Sequence, residues 1–365
     1  MKNTLGTSVT VTLFGESHGG EIGAVLSGMA PGIPVDETAV AAALSRRRPA
    51  ADTGTARREP DRFRVVSGVY QGRTTGAPLC IVIENSDVRD GDYASWRGLA
   101  RPGHADYAAY MKYHGFEDYR GGGQFSGRMT APLVAVGAVA VSALAAKGMA
   151  VGTHVAEVGG VCDRAFGDYA ADLKTLLTAP FGMLDGAATE KAKGVIRAAA
   201  EAGDSVGGVL ETAVTGLPAG VGEPFFDSVE SVLSHALFSI PAVKGVAFGA
   251  GFDFARMKGS EAGDPWRMQN GRPVTLTNHN GGVTGGMTNG MPLLFRTVVK
   301  PTPSIYQKQQ TVDFLKGENA ELQLTGRHDP AVVHRARPVA DAVTALALCD
   351  LLALRYGTDY LGNAT

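Results

Sequence analysis

The sequence is poor in the residues that indicate a secreted, fibrous or nucleic-acid-binding protein. Its 365 residues include three cysteines and two tryptophans, and 19% of them are charged, with a formal net charge of −2. Cys80, Cys162 and Cys349 are odd in number and widely spaced, which favours reduced thiols in a cytosol over a disulfide framework. A nearly neutral chain has no overall field that would attract nucleic acid or a lipid surface. We therefore expect a cytoplasmic protein with no nucleic-acid partner and no membrane partner.

Long apolar segments are also scarce. The most apolar one, Ala131 to Ala146, carries no charge but is shorter than the roughly 20 residues that a membrane span needs. It is rich in alanine and bounded by Arg128 and Lys147, so we interpret it as a helix packed inside the protein. The N-terminal residues Met1 to Gly6 lack the apolar run of a signal peptide.

Glycine is abundant, with 49 residues set among mixed helix and strand patterns. Capping residues and apolar periodicity predict the helices, and short β-branched runs predict the strands. The predicted helices are Asp36 to Leu44, Ala131 to Lys147, Asp172 to Leu177, Ala187 to Gly203, Asp227 to Phe238, and Val339 to Arg355 opened by Pro338. The predicted strands are Ser8 to Phe14, Leu79 to Ile83 and Leu293 to Val299. No linker separates these elements, so one α+β domain over residues 1–365 is expected.

A short motif occurs twice in the chain. Residues Gly72 to Leu79 and Gly286 to Leu293 both read G-x-T-x-G-x-P-L, and each copy leads into an apolar strand. A Gly-Pro turn and an acid-capped helix precede each copy, and an arginine-bearing loop with a long helix follows. This order predicts two similar halves, roughly 1–150 and 205–357, in one pseudo-symmetric domain. The alternative is a chance similarity of Gly/Pro turns.

Two histidines lie in glycine-containing loops. Gly15 to Gly20 reads G-E-S-H-G-G and places His18 after the first strand, where glycines let a ligand approach closely. The alternative is an ordinary surface turn. Arg101 to Tyr107 reads R-P-G-H-A-D-Y and holds His104. Its Asp106 either orients the His104 ring or caps the following helix.

Arginines accumulate in the glycine-rich loops. Arg120 to Arg128 contains three consecutive glycines before a helix, which suits an anion, although a structural turn is the alternative. Gly326 to Pro330 and Lys300 to Ser304 have the same character, and the arginine triplet Arg46 to Arg48 adds to the set. In a chain of net charge −2 these clusters predict a small ligand that carries phosphate or carboxylates. Metal-ligand spacing is lacking, so no metal site is expected.

Together these segments resemble the chorismate synthase family over nearly the whole chain. The motifs are Gly15 to Gly19, Arg46 to Pro49, Ser67 to Val69 with Gly72 to Pro78, Arg101 to Tyr107, Tyr119 to Gly123, His235 to Ile240, Val243 to Gly245, Lys300 to Thr302 and Gly326 to Pro330. The resemblance implies a lyase of the shikimate pathway for aromatic amino acid biosynthesis. It converts 5-enolpyruvylshikimate 3-phosphate to chorismate by 1,4-anti elimination of phosphate, using reduced FMN without net redox change. It further implies a β-α-β sandwich, with helices between antiparallel sheets, assembled as a homotetramer.

The resemblance also implies a role for each site residue. His18 would protonate the departing phosphate, His104 would protonate the reduced flavin, and Asp329 would assist proton removal. The substrate-binding residues would be Arg47, Arg48, Arg128 and Arg335. The cofactor-binding residues would be Gln124, Phe125, Ser126, Pro241, Ala242, Gly285, Lys300, Pro301, Thr302, Pro303, Ser304 and Arg327. Because no G-x-G-x-x-G with a following acid is present, NADPH would act only indirectly, through an external flavin reductase.

Some positions depart from the commoner family pattern. Gln124 and Phe125 replace an Arg and a Ser, which puts cofactor contacts there in question, and His334 and Arg337 replace a Pro and an apolar residue. Two other functions are alternatives: a flavin oxidoreductase with net turnover of reducing equivalents, and an arginine-rich binder of anions or nucleic acid.

Overall fold

The computed structural model describes residues 2–48, 60–86, 96–325 and 328–362. In these ranges the strands are β1 (Thr4–Leu5), β2 (Thr10–Gly15), β3 (Glu21–Ser27), β4 (Phe63–Ser67), β5 (Val69–Tyr70), β6 (Arg73–Thr74), β7 (Leu79–Glu84), β8 (Ala150–Val158), β9 (Val161–Cys162), β10 (Gly208–Thr215), β11 (Val243–Phe248), β12 (Trp266–Gln269), β13 (Arg272–Thr275), β14 (Val283–Thr284), β15 (Met287–Thr288), β16 (Leu293–Val299), β17 (Gln309–Asp313) and β18 (Glu318–Leu322). The α-helices are α1 (Glu37–Arg47), α2 (Asp106–Tyr113), α3 (Thr130–Ala146), α4 (Tyr169–Leu176), α5 (Gly186–Glu201), α6 (Val229–Leu237), α7 (Gly259–Ala262) and α8 (Val333–Tyr356).

Two five-stranded sheets enclose a layer of helices. One sheet has the order β1-β2-β3-β7-β4 and the other β11-β16-β10-β8-β9, and their strand pairs are antiparallel. Ile22, Ala24 and Leu26 alternate along β3 and are fully or almost fully buried. Because side chains on alternate residues of a strand share a face, this apolar face packs onto the helices. The expected α+β fold with helices between antiparallel sheets is confirmed.

Helices α3 and α8 form the centre of the core, since they pack on each other and each contacts strands of both sheets. Gly137 in α3 permits a close approach, because a Cβ there would overlap Ala342 of α8. By length and composition alone, Gly127–Ala146 could cross a membrane, but 78% of that window is buried inside the protein. The sequence prediction of a buried helix here is therefore confirmed.

The two sheets share one connection pattern. In the first, β2, β3, β7 and β4 are neighbours, and in the second the neighbours are β8, β10, β16 and β11. In both, the second strand along the chain is joined to the third by a helix, α1 or α6, and the fourth precedes the long core helix, α3 or α8. The order of the four strands is thus the same in both sheets.

Three predicted helix starts are wrong. Helix α4 begins at Tyr169, with Asp168 as its N-cap, so the predicted start Asp172 lies inside it. Helix α8 begins at Val333, and Pro338 lies inside it instead of opening it. Helix α6 is capped by the Ser228 hydroxyl, which accepts a hydrogen bond from the Ser231 N–H, and not by Asp227. At α6, Asp227 and Ser228 are adjacent and both are residue types that cap helices. At α8 the N-cap Val332 makes no side-chain cap, so Pro338 was the nearest local signal.

The departures at His334 and Arg337 have a structural explanation. The His334 ring stacks on Phe181 with centroids 5.3 Å apart. The buried Arg337 guanidinium donates to the carbonyl oxygens of Leu176 at 3.2 Å and Ala179 at 3.0 Å. Burial lowers the pKa of Arg337 to about 10. Arg337 thus supplies donors to carbonyls at and just after the end of α4, where free carbonyls need them. His334 holds the following segment against the start of α8.

Candidate active site

His18 lies in the loop between β2 and β3 and is only 7% exposed. The preceding Ser17 is fully buried, and its N–H donates to the carbonyl oxygen of Gly123 at 3.3 Å. The His18 ring lies against Gly121, where a Cβ would overlap it. Gly121 has a φ of 57°, so both its backbone conformation and its neighbour favour glycine. The surface-turn alternative for His18 is therefore wrong.

His104 forms a triad with Arg101 and Asp106. Its Nδ1 lies 3.0 Å from Asp106 Oδ1. Asp106 also accepts from Arg101 Nη2 at 2.7 Å and from Arg101 Nε at 2.9 Å. Although burial opposes it, hydrogen bonds from Arg101 and His104 hold the pKa of Asp106 far below its ordinary value. Asp106 makes no side-chain cap at the start of α2, so of the two alternatives for this residue, ring orientation is the one found.

The triple glycine joins the two histidines. Gly121, Gly122 and Gly123 have φ values of 57°, 81° and 50°, forming a left-handed turn before α3. A Cβ at Gly122 would lie 3.4 Å from His104 Cε1 and Nε2. His18 and His104 therefore lie against adjacent glycines, with the Nε2 edge of His104 turned toward this turn.

An arginine cluster surrounds the buried Asp61. Arg47 Nη2 donates to Asp61 at 3.0 Å, Arg128 Nη1 donates to the same carboxylate, and Arg48 Nε lies 3.9 Å away. Burial and the like charges of Arg335 and Arg128 lower the pKa of Arg47 to about 10, against the opposing effect of Asp61. Burial also opposes ionisation of Asp61, yet Arg47 and Arg128 lower its pKa below the ordinary value. Arg47 and Asp61 therefore both stay charged at neutral pH.

Asp329 is tied to this cluster through Arg335. Arg335 Nη1 donates to Asp329 Oδ2, and Arg335 Nε donates to the carbonyl oxygen of Arg47 at 2.9 Å. Four of the predicted site residues, Arg47, Arg128, Asp329 and Arg335, are thus connected by hydrogen bonds, directly or through Asp61. Arg327 lies outside the described residues.

The second half of the chain reaches the His104 loop through Lys300. Lys300 Nζ donates to the carbonyl oxygen of Gly103, and the Pro303 ring also lies against Gly103. The Lys300 N–H donates to the carbonyl oxygen of Ala242 at 2.9 Å, which connects Pro241 and Ala242 to the same place. The carbonyl oxygen of Thr302 accepts from the Ser205 hydroxyl at 2.7 Å, and Ser304, two residues further along the chain, is buried.

The remaining predicted cofactor residues are less closely connected. The Ser126 hydroxyl accepts from the Arg128 N–H at 3.3 Å, and Gln124 contacts Asn3 at 3.4 Å. Phe125 is 38% exposed and lines the cleft beside His104. Gly285 lies in the turn between β14 and β15, and its described contacts do not join it to the histidines.

The cleft beside His104 opens to solvent and has a volume of about 60 Å³. Aromatic and apolar residues form part of its wall, and the charged residues are Arg97, Arg101, Asp106, Glu117 and Asp118. The aromatic residues of the wall are Trp96, Tyr110, Tyr119, Phe125 and Phe314. Such a mixture suits a flat, partly apolar ligand with a few polar atoms.

Three residues of this region are missing from the predicted site. Asp61 follows Pro60 and adopts a φ of 48°, for which the sequence offers only the general tolerance of aspartate for that conformation. Asn85 bonds both the His18 loop and Arg128. His328 lies near Arg101, and burial together with that charge lowers its pKa. The sequence could have indicated His328, because it is a histidine next to Asp329 in an arginine-containing motif.

The sequence profile described as chorismate synthase matches residues 9–353. The chain belongs to the chorismate synthase family. The chorismate synthase of Aeropyrum pernix is 45% identical over 97% of this chain and 93% of its own length. That of a Dehalococcoides mccartyi strain is 43% identical over 98% of both chains. A crystal structure described as that of a chorismate synthase has a TM-score of 0.77, with 27% identity, covering 96% of this chain and 94% of its own.

Membership of the chorismate synthase family confirms the function expected from the motifs. The activity is that of a carbon–oxygen lyase, which eliminates phosphate from 5-enolpyruvylshikimate 3-phosphate to give chorismate in the shikimate pathway. The family uses reduced flavin in this reaction.

Proposed function

We propose that this chain performs the chorismate synthase reaction with reduced FMN, at a site formed by His18, His104, Asp329 and the arginine cluster. The supporting observation is that His18 and His104 lie against the adjacent glycines Gly121 and Gly122. Histidine suits proton transfer because its ordinary pKa lies near neutral pH.

The residues beside His104 fit a flavin. The glycine turn brings bare backbone close to both histidine rings, and the cleft offers an aromatic wall next to Arg101. Lys300, with Pro301 to Ser304, and Pro241 to Ala242 would hold the cofactor from the second half, together with Gln124 to Ser126, Gly285 and Arg327. When bound, reduced FMN supplies electron density to the substrate ring during elimination.

His104 is prepared to hold a proton at a defined atom. His104 Nδ1 lies 3.0 Å from both Asp106 Oδ1 and Arg101 Nη2. We assign the ring proton to Nδ1, because an ionised carboxylate can only accept a hydrogen bond. Nε2, on the side of Gly122, is then the nitrogen that can accept or donate a proton. Arg101 Nη2 donates to the same Asp106 oxygen at 2.7 Å.

His18 is proposed to donate a proton to the leaving phosphate, and the arginines are proposed to bind it. Arg47, Arg48, Arg128 and Arg335 form a cluster of four cations around the carboxylates of Asp61 and Asp329. A site with more cations than carboxylates attracts a substrate that carries a phosphate and carboxylates. Asp329, held by Arg335, is the carboxylate proposed to assist removal of the ring proton.

The organisation of the whole molecule is part of the proposal. The shared strand order of the two sheets supports a single domain of two similar halves, with the site built by loops of both. Phe225, Phe226 and Phe252 are 85%, 90% and 83% exposed, which supports burial between subunits in a homotetramer. We assign flavin reduction to an external reductase, with NADPH acting only through it, in the cytoplasm.

An anaerobic assay tests the proposal. Purified protein with chemically reduced FMN should release phosphate from 5-enolpyruvylshikimate 3-phosphate, and NADPH with oxidised FMN should not replace it. His18→Ala should lower kcat by roughly 10²–10⁴ if His18 is a general acid. No phosphate release despite bound reduced flavin would refute the cofactor assignment, and turnover with NADPH alone would refute the need for an external reductase.

A further inference from the structure

Asn85 connects the two parts of the candidate site. It follows β7 directly, and its own N–H donates to the carbonyl oxygen of Gly20 at 3.1 Å. Its side-chain Nδ2 donates to the carbonyl oxygens of Glu16 at 3.0 Å and Gly19 at 2.8 Å. Its Oδ1 accepts from Arg128 Nε at 3.0 Å. These four bonds occupy the backbone donor and both ends of the carboxamide.

The chemistry of these partners requires a carboxamide in one orientation. Two carbonyl oxygens need a group with two N–H donors, and a guanidinium needs an acceptor. An amide turned the other way would place its oxygen against the carbonyls of Glu16 and Gly19 and its NH₂ against Arg128. Aspartate could accept from Arg128 but has no N–H to donate to the two carbonyl oxygens. The position therefore requires asparagine and not its closest isostere.

The bonds of Asn85 determine where His18 lies. Glu16 and Gly19 bracket Ser17 and His18, so holding both carbonyls fixes the short loop on one side. On the other side the Ser17 N–H donates to Gly123, in the glycine turn. Arg128 is fixed at the same time, since its Nη2 donates to the carbonyl oxygen of Glu84 at 3.1 Å, next to Asn85. One amide therefore sets His18 relative to Arg128.

We infer that Asn85 is a positioning residue for the elimination reaction, acting by holding the Glu16–Gly19 loop so that His18 lies in register with the arginine cluster. This inference rests on the proposed role of His18. General acids lose most of their effect when displaced by about 1 Å, with losses on the order of 100-fold. The effect of losing the two amide donors should accordingly appear in kcat.

The test compares Asn85→Asp with a matched variant. Asn85→Asp keeps the shape and the acceptor for Arg128 and loses both donors, so we expect kcat to fall by roughly 10- to 100-fold with KM changed much less. Gln307→Glu makes the same amide-to-carboxylate exchange where Nε2 donates to the carbonyl oxygen of Ala202 at 3.1 Å. It should leave kcat and KM unchanged. Equal kcat in Asn85→Asp and the parent, with folding intact by circular dichroism, would overturn the inference.

A double-mutant cycle separates the inference from the role of His18. If Asn85 acts through His18, adding Asn85→Asp to His18→Ala should lower kcat by less than about threefold further, because the group being positioned is already gone. Fully additive losses would mean that Asn85 acts by another route. An unchanged kcat in His18→Ala would refute the proposed role of His18. An unchanged kcat in Asn85→Asp, with a lowered kcat in His18→Ala, would refute only the role of Asn85.

Discussion

Thr74 and Thr288 make the same hydrogen bonds in the two halves of the chain. The Thr74 hydroxyl accepts from the Ile33 N–H at 2.9 Å and donates to the carbonyl oxygen of Ala30 at 2.6 Å. The Thr288 hydroxyl accepts from the Val221 N–H at 2.9 Å and donates to the carbonyl oxygen of Pro218 at 2.6 Å. The central threonine of the repeated G-x-T-x-G-x-P-L motif thus fastens an equivalent Gly-Pro turn in each half.

We predict that Thr74→Val and Thr288→Val destabilise the protein by similar amounts. Each removes a buried hydroxyl and leaves one N–H and one carbonyl oxygen unpaired, which costs about 1–3 kcal/mol. Urea unfolding measures the change. Thr4→Val, at an exposed position where the hydroxyl bonds that of Thr12, should change stability by less than about 0.5 kcal/mol. A large loss at one motif position and none at the other would contradict the equivalence.

The repeated motif was predictable because its signal is local. Gly, Thr and Pro act on their own turn, so their spacing survives in the sequence. The order of strands in each sheet could not be predicted this way, since pairing such as Glu21 with Glu84 joins distant segments. The same limit applies to Pro338, whose place inside α8 depends on what the first turn of that helix packs against.

The site was predictable where loops combine glycine with histidine or arginine. His18, His104 and the arginines were found in this way, because histidine suits proton transfer and arginine suits anion binding whatever the surrounding fold. Asp61 and Asn85 were not, because a single acid or amide in a mixed sequence gives no local pattern. Their roles follow from partners far along the chain, namely Arg128 for both and Glu16 for Asn85.

Asp106→Asn should lower kcat by a smaller factor than His104→Ala. The alanine variant removes the ring and should cost roughly 10²–10⁴ if His104 transfers a proton. The asparagine variant keeps the ring but loses the carboxylate that accepts its Nδ1–H. Steady-state kinetics with reduced FMN measures both. As a control, Asp172 in α4 forms a similar pair with Arg164, and Asp172→Asn should leave kcat unchanged. A normal rate in Asp106→Asn would contradict the orienting role of Asp106.

Asp61→Asn should strongly destabilise the protein. It removes the charge that balances the buried Arg47 and Arg128, and losing one partner of a buried ion pair costs about 3–5 kcal/mol. Chemical denaturation measures the loss. The exposed pair of Asp253 with Arg256 provides the control, since Asp253→Asn should leave the unfolding midpoint where it was. Equal midpoints for the two variants would show that the arginine cluster does not need Asp61.

The two carboxylate contacts of His154 predict how the stability of the protein depends on pH. Its Nδ1 lies 2.9 Å from Asp163 Oδ2 and its Nε2 lies 3.0 Å from Glu211 Oε2. Burial works against the charged ring, but the two carboxylates outweigh it and raise the pKa of His154 above its ordinary value. A raised pKa in the folded state means that the charged ring favours folding. This contribution is complete below the ordinary histidine pKa of about 6.5 and is lost as the pH rises through the folded value.

The free energy of unfolding should therefore show a difference between the parent chain and His154→Gln that shrinks with rising pH. Denaturation at intervals between about pH 5.5 and 9 measures it, because linkage predicts a slope only where the two states bind different numbers of protons. Val155→Ala, the next residue on β8 and fully buried, removes no titrating group, so its cost should be the same at every pH. A constant difference for His154→Gln as well would mean that the ring binds protons equally in the folded and unfolded states, which would contradict a raised pKa in the folded protein.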